Sequence, residues 1–463
     1  MEPNSISSQL GYYNWKILDN YYSDSAKIKI DNAEDSTIFA TSKGLFTLGN
    51  LQLLVFNNAE KVLEKSVKTI AWECSQNISR VDLYYWTKNK IKRLIASDVE
   101  AGNKSYNWRL PEEVSDSCYI AIYDHNNYRF FDTSNAPFTI CRLKLLNPKG
   151  GEVWKLGDSK EFVWESEYIN KVNIEFITDD STAVPIFSDS PYKINDLPIN
   201  ASLGRFTKVI DRNILGMVAS KHVRIRLIES SSKEKLSDTC DQALTTSEIL
   251  LTYPNEGEHF GKVDSIKWEC STNTIENVNI WYKRDDLTNW RLIASNVPAN
   301  SDSYKWYIKN IDPAQNYRIK IEDANPDPKY RAINDLSDET FTICDINLTY
   351  PNGNEKLKVG KIYQIKWNSS FINLIRLEYS IDDGKNWYSV SADPISAAQQ
   401  TFDWTIPSDF SRKVRLRVSD YDKSLINDLS DTTFTIADIR LLNPNELMAL
   451  NTVTDYTIRW ESQ

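Results

Sequence analysis

The sequence predicts an all-β chain of tandem antiparallel sandwiches stacked into an extended rod, and three landmarks recurring with one period predict it. Apolar segments closing on tryptophan end at Trp72, Trp164, Trp268, Trp367 and Trp460, spaced 92, 104, 99 and 93 residues apart. A second tryptophan series, Trp15, Trp108, Trp306 and Trp404, keeps the period, with Phe206 standing in its place in the second full repeat. A closing Phe-Thr-Ile/Leu begins at Phe46, Phe138, Phe341 and Phe434. Self-similarity at a fixed period of this kind marks a repeat architecture.

The repeats open on Leu-x-x-Pro at Pro148, Pro254, Pro351 and Pro444. The landmarks therefore delimit full repeats at residues 51–141, 142–247, 248–344 and 345–437. Residues 1–50 read as the C-terminal half of a repeat and residues 438–463 as the N-terminal half of another. The second full repeat carries an insertion between Asp180 and Asn200. Inside each repeat the pattern has period two: residues 26–30, 223–227, 317–321 and 414–418 alternate apolar with basic, as strands with one buried and one wet face do. Residues 81–85, 172–176, 278–282 and 375–379 form a second alternating set. Turn residues such as Gly150-Gly151, Asn352-Gly353 and Asp382-Asp383-Gly384 tolerate the backbone that joins strands. Short strands at intervals of about 8–12 residues are the signature of an immunoglobulin-type sandwich. The core of each is expected to hold the tryptophans Trp15, Trp72, Trp108, Trp164, Trp268, Trp306, Trp367, Trp404 and Trp460. Each buries ~150–250 Å², which at ~25 cal/mol/Å² contributes several kcal/mol per repeat.

Composition narrows the function. Hydrophobic residues are 41% and charged residues 25% of 463, an ordinary globular balance. Lys+Arg is 54 against Asp+Glu 64, and a net charge of -10 is the wrong sign for neutralising phosphates, so nucleic acid is excluded as a partner. The strongest apolar run, residues 51–56, is too short to span a membrane. The first residues show neither a basic segment nor an apolar one of the kind that marks a secretory signal.

The motifs carry a resemblance. Residues 147–154, Asn-Pro-Lys-Gly-Gly-Glu-Val-Trp, and 351–355, Pro-Asn-Gly-Asn-Glu, precede Gly157 or Gly360 and then the Trp strand. Glu378-Tyr379-Ser380 and an Asp-Asp-Gly-x-x-Trp turn follow in the fourth full repeat. This run resembles the immunoglobulin-like repeats of large secreted and cell-surface proteins of bacteria. It is also similar to the module of the fungal cell-wall synthesis and Ser/Thr-rich GPI-anchored membrane protein family. The first full repeat departs from it, reading Val55-Phe56-Asn57-Asn58-Ala59-Glu60 without Pro or Gly. The resemblance implies a stalk, sheath, filament or adhesin segment, extracellular or on the cell surface, without catalytic residues.

Candidate chemistry is sparse. Asp323, Asp335, Asp338, Asp420, Asp428 and Asp431 cluster before the last strands and either bond their own turns or offer oxygens to Ca²⁺, the one cofactor the sequence suggests. Residues 380–387 approximate the Ser-x-Asp-x-Gly-x-x-Trp hairpin of propeller glycosidases, yet propeller blades repeat every ~40–50 residues, so a plain turn is expected. His125, His222 and His259 occupy non-equivalent places and make no metal or catalytic set. Six cysteines allow 15 full pairings. Cys74 and Cys118 flank strands that an immunoglobulin-type sandwich can bridge, and otherwise the thiols serve as small apolar side chains. Sheet aromatics such as Trp86, Trp281, Tyr282 and Tyr379 serve the core or form a face for cell-surface glycans. The two half repeats expose apolar edges. They are cut from a longer array, or they dock on a second copy to build a head-to-tail homo-oligomer.

Overall fold

A computed structural model describes residues 6–18, 21–178, 192–195, 197–210, 219–230, 235–444, 449–450, 452 and 455–462. Most of the insertion expected between Asp180 and Asn200 lies outside the described residues. The chain divides into two compact units, one of residues 1–152 and 157–244, the other of residues 153–156 and 245–463.

The second unit holds two whole sandwiches, modules 3 and 4. In module 4 the first sheet orders Asp345–Tyr350, Ile362–Ser370 and Thr401–Thr405. The second orders Lys356–Lys358, Phe434–Ala437, Ser411–Asp420, Leu374–Ser380 and Tyr388–Ser389. All pairs are antiparallel except Lys356–Lys358 with Phe434–Ala437. Module 3 repeats this scheme from Ile249–Tyr253 to Phe341–Ile343. This is the immunoglobulin-like sandwich: period-two strands present Ile365, Trp367, Ile375, Leu377, Leu416 and Val418 to one interior, each at most 1% exposed.

The first unit contains module 1, with its own core from Leu51 to Ile140, and the sheet Phe138–Asn147, Ser159–Glu167 and Arg205–Val209 of module 2. No linker separates them: the strand Phe138–Asn147 pairs with Ser115–Asp124 of module 1 and with Ser159–Glu167 of module 2. The boundary expected between residues 141 and 142 falls inside a continuous strand.

Each module is built around one indole. Trp72, Trp164, Trp268 and Trp367 are at most 3% exposed, and their Nε1 donates to the carbonyls of Ala101, Ala201, Ala299 and Ala397 at 2.8–3.1 Å. These buried alanines open four short 3-10 turns of one design. The second series, Trp108, Trp306 and Trp404, is 4–5% exposed and packs against Tyr85, Tyr282 and Tyr379 at 5.1–5.4 Å between ring centres. Strand register corrects the reading of module 2. Phe206 pairs with Phe162 as Tyr106 does with Ile70, so it stands where other modules have Tyr106, Tyr304 and Phe402. Lys208 takes the tryptophan position.

Two tryptophans expected in cores are not there. Trp460 is 60% exposed and Trp15 is half-buried outside any strand. Trp460 lies on Arg459–Ser462, a strand that pairs only with Ile439–Asn443 among the described residues. The alternation of residues 26–30 likewise splits into Ser23–Ala26 and Lys29–Asp31, leaving Ile30 72% exposed.

The opening turn of each module is held by one glutamate. Glu152, Glu258 and Glu355 accept from the backbone N–H of Lys149, Asn255 and Asn352 at 2.8–3.2 Å. Module 1, lacking Pro and Gly, keeps the turn: Glu60 accepts from Phe56 N–H at 3.1 Å, and Asn57 Oδ1 accepts from Asn135 N–H at 2.9 Å, as Asn352 does from Asp431. No described helix is long and apolar enough to cross a membrane.

Candidate functional site

The carboxylates singled out in the sequence hold backbone. Asp335 and Asp428 accept from the N–H of Leu251 and Leu348 at 2.8 Å, tying the last hairpin of a module to its first strand. Asp132 and Asp238 do the same for Leu53 and Leu145 at 2.7 Å. Asp338 and Asp431 accept from Asn255 and Asn352 side chains. Asp323 and Asp420 accept from N–H groups two residues on, Asn325 and Asp422. Among the described residues no three His, Cys, Asp or Glu side chains form a metal-sized group.

Residues 380–387 fold as a self-contained turn. Asp382 accepts from the amides of Lys385 and Asn386 at 3.0 and 2.9 Å and from the Asn386 side chain at 2.6 Å, and the Asn386 amide above all draws its pKa down to about 2.

Cys74 and Cys118 are both free thiols, which corrects the expected bridge. The reason is register. Cys74 ends a strand that turns into Arg80, whereas Cys118 sits just outside the Tyr119–Trp86 pair at the far end of the strand Arg80–Trp86. Seven residues at ~3.3 Å each put the two thiols at opposite ends of the module. Burial raises the Cys118 thiol above its ordinary pKa, and it pushes Cys344 to about 12. Such thiols stay protonated and behave as small apolar groups.

Two buried sulfurs, Cys141 and Cys344, are pins. Cys141 Sγ donates to the carbonyl of Tyr168 at 3.7 Å and Cys344 Sγ to that of Phe371 at 3.3 Å. Each acceptor residue has positive φ and belongs to the next module. Ser247 bonds Thr274 at 2.7 Å in the corresponding place, and all three pairs are 27 residues apart. Lysines add a second fastening. Lys61 Nζ reaches Glu229 at 2.8 Å and the Tyr168 carbonyl at 3.2 Å. Lys423 Nζ donates to Asp264 at 2.6 Å, the His259 carbonyl at 2.6 Å and Tyr253 Oη at 3.1 Å. Burial opposes the Lys423 charge, but Asp264 and Tyr253 outweigh it and hold the ammonium above its ordinary pKa. Beside it, Lys262 pairs with Asp428 at 2.9 Å, and a Cβ on Gly261 would lie 3.2 Å from Ile426.

The histidines stay apart. His125 Nδ1 lies 2.9 Å from Asp82, His222 uses its amide on Ser220, and His259 is exposed. Of the aromatics considered for a glycan face, Tyr282 and Tyr379 are core residues, 9% and 8% exposed. Trp281 is covered by Lys320, whose Nζ lies 5.3 Å from its ring. Trp86 alone of the four joins a cluster at the surface. It stacks on Tyr119 at 5.6 Å and 11°. On the same sheet Tyr123 stacks on Tyr128 and on Phe131, each at 5.4 Å. Sequence reading missed this cluster, the junction pins and the lysine fastenings. The 27-residue separation of Cys141, Ser247 and Cys344 from Tyr168, Thr274 and Phe371 was the one available signal for the pins.

Comparisons with known proteins return no matching family model and no curated relative. Among solved structures, the chain is similar to the fibronectin(III)-like modules of CbhA from Clostridium thermocellum, at 17% identity and a TM-score of 0.18, covering 41% of this chain and 92% of that one. It is similar to immunoglobulin domains 1–5 of Sidekick-1, at 9% identity and a TM-score of 0.18, covering 85% and 81%. An I-band fragment of titin gives 9% identity and a TM-score of 0.23, covering 64% and 97%. The strand order and register of the chain itself establish a tandem array of immunoglobulin-like β-sandwiches.

Proposed function

We propose that the chain is a non-catalytic structural element of the cell exterior, a segment of a stalk, sheath, filament or adhesin whose work is spacing and presentation. The observation that carries this reading is the junction. Strands run from module 1 into module 2 without a linker, and side-chain fastenings recur there and between modules 3 and 4. Short, bonded junctions restrict the motion of neighbouring repeats. The carboxylates and histidines considered for chemistry are engaged in turns or held apart.

Pulsed electron spin resonance between labels on modules 3 and 4 of the full chain tests this. A narrow distance distribution that broadens in Lys423→Ala is expected. A broad distribution in the native chain would overturn it. The surface location predicts that protease added to intact cells removes the protein, and full protection argues for an internal site. The finer reading, growth head to tail through the half repeats, is supported by the exposed Ile439, Leu441, Ile458 and Trp460 at 55–60%. Sedimentation equilibrium should show association that Trp460→Glu abolishes. A mass independent of concentration rules that growth out.

A further inference from the structure

We propose that the outer sheet face of module 1 is a binding site for an acidic glycan. The site lies on strands that every module possesses, so the other modules serve as internal controls. In modules 2, 3 and 4 the central cross-strand pairs of this face are Glu175 with Arg226, Trp281 with Lys320 and Glu378 with Arg417. The next pairs bring in Arg224, Arg318 and Arg415, each donating to two backbone carbonyls of the neighbouring hairpin. Module 1 has Tyr84 with Ala121, Trp86 with Tyr119 and Asp82 with Tyr123 instead. With the small Ala121 in place of a long cation, rings close over the strand from both sides.

Stacked rings occupy a surface where modules 3 and 4 cover their tryptophans with a cation, Lys320 over Trp281 and Arg417 over Trp387. Tyr128 and Phe131 stack on Tyr123 and are themselves 50% and 55% exposed, so apolar ring area faces water. The cluster is fixed in advance. The Tyr128 hydroxyl donates to Asp82, which also accepts from Ser97 Oγ at 2.7 Å and Asp98 N–H at 2.8 Å. Preorganised rings bind at a lower entropic cost than mobile ones. A pyranose offers an apolar C–H face to such a ring and hydroxyls to the tyrosine rim.

Charge then selects among glycans. The hairpin after Trp86 reads Lys88-Asn89-Lys90-Ile91-Lys92-Arg93, where modules 3 and 4 have Asp285-Asp286 and Asp382-Asp383. Lys88 pairs with Asp116 and Arg93 with Glu113, but Lys90 and Lys92 pair with no carboxylate among the described residues. Lys92 Nζ donates to the Tyr123 hydroxyl and lies 4.8 Å from the centre of that ring and 5.5 Å from that of Trp86, bridging the two halves of the cluster. Exposed Arg129 adjoins Tyr128. In a chain of net charge -10, Lys92 over Trp86 and Tyr123, with the exposed Lys90 in the same hairpin, fits a sugar bearing a carboxylate. A polynucleotide carries charge without an apolar pyranose face, so it is the control for attraction by charge alone.

The inference is independent of the structural role. Calorimetric titration of the full chain with oligogalacturonate, neutral cellohexaose and poly(U) tests it. Oligogalacturonate should bind, more weakly as salt rises. Phe131→Ala should weaken it about tenfold, as expected for losing one stacked ring, while Phe131→Trp retains it. The double variant Lys90→Glu/Lys92→Glu should abolish it, and Lys413→Glu in module 4 should leave it unchanged. Phe131 and both lysines are exposed, so hydrogen exchange of module 1 should be unaltered in these variants. The proposal fails if no oligogalacturonate binds at low salt, if Phe131→Ala binds as well as the native chain, or if cellohexaose or poly(U) binds as tightly.

Discussion

Module 1 and module 4 set the same two strands in the same register, Val81 opposite Asp124 and Ile375 opposite Asp420, yet they clothe the solvent side differently. In module 4 Arg417 forks onto Glu378 at 2.5–2.9 Å and lies 4.2 Å from the Trp387 ring centre, while Arg415 reaches two carbonyls and Asp383. In module 1 stacked rings replace this ladder. The inner sides share their main aromatic contact: Trp108 and Trp404 meet Phe138 and Phe434 at 6.3 and 6.4 Å. The difference teaches that the interior specifies the sandwich, whereas the outer face is free to vary, and that freedom is where modules of one fold acquire separate roles.

The largest expected effect tests the shared interior. Trp72→Ala and Trp367→Ala should each cost about 3–5 kcal/mol, because a buried indole and its bond to Ala101 or Ala397 are both lost. Trp460→Ala, at a surface, should change stability by less than about 0.5 kcal/mol. Hydrogen exchange read by peptide mass spectrometry locates each effect. Equal losses for Trp367 and Trp460 would refute the contrast between whole and half modules.

Next in size come the aspartates that tie the first strand. Asp428→Ala leaves the Leu348 amide without its partner, and Asp132→Ala does so for Leu53. Each should cost about 1–3 kcal/mol, the penalty for an unsatisfied buried donor. The amide contact is shared, and Asp428→Ala should cost slightly more because it also removes the partly exposed pair with Lys262. A melting point raised by millimolar Ca²⁺ and insensitive to these substitutions would contradict the backbone role.

Acid separates the modules. Burial disfavours the Asp82 charge, but hydrogen bonds from Tyr128, the Asp98 amide, Ser97 and His125 outweigh it and lower the pKa to about 2. An ordinary aspartate titrates near 3.9. A depressed folded-state pKa contributes stability that is fully present above the unfolded value and disappears as pH falls through the folded one. Module 1 should therefore lose about 2 kcal/mol between roughly pH 4 and pH 2. Arg376 stands at this position in module 4, where an acid component comes instead from Asp382 in the exposed turn at residues 380–387. Tyr128→Phe should shrink the acid loss, and exchange protection at each pH measures it.

How much of this was legible follows from what repeats. Trp72, Trp268 and Trp367 recur because any sandwich of this size needs the same volume at the same place, and the alternation around them gives strand and face. Phase within a strand was harder. Phe206 looked like a replaced tryptophan because both are large and apolar, and only its pairing with Phe162 shows that Lys208 occupies that position. The Lys423 fastening joins residues 159 apart across a junction, and no periodicity announces such a contact. Tyr119 and Tyr123 alternate with the buried Ile120 and Ile122 and so read simply as strand. That they stack on Trp86 and Phe131 depends on register with two other strands.

The smallest effect probes the ladder of module 4 directly. Arg417→Lys keeps the charge but loses the planar fork on Glu378 and the stack on Trp387, since an ammonium is a point donor on a flexible stem. Arg417 is about a third exposed, so solvent screens the pair and the cost should be about 1 kcal/mol or less. Placing the same chemistry in module 1, with Tyr84→Glu and Ala121→Arg, gives that face the cross-strand pair of module 4. If outer faces vary independently of the interior, the double variant should fold with exchange protection in the Trp72 and Trp108 strands unchanged, while Tyr123 and Phe131 become more exposed. Loss of protection throughout module 1 would mean instead that the rings help hold the sandwich together.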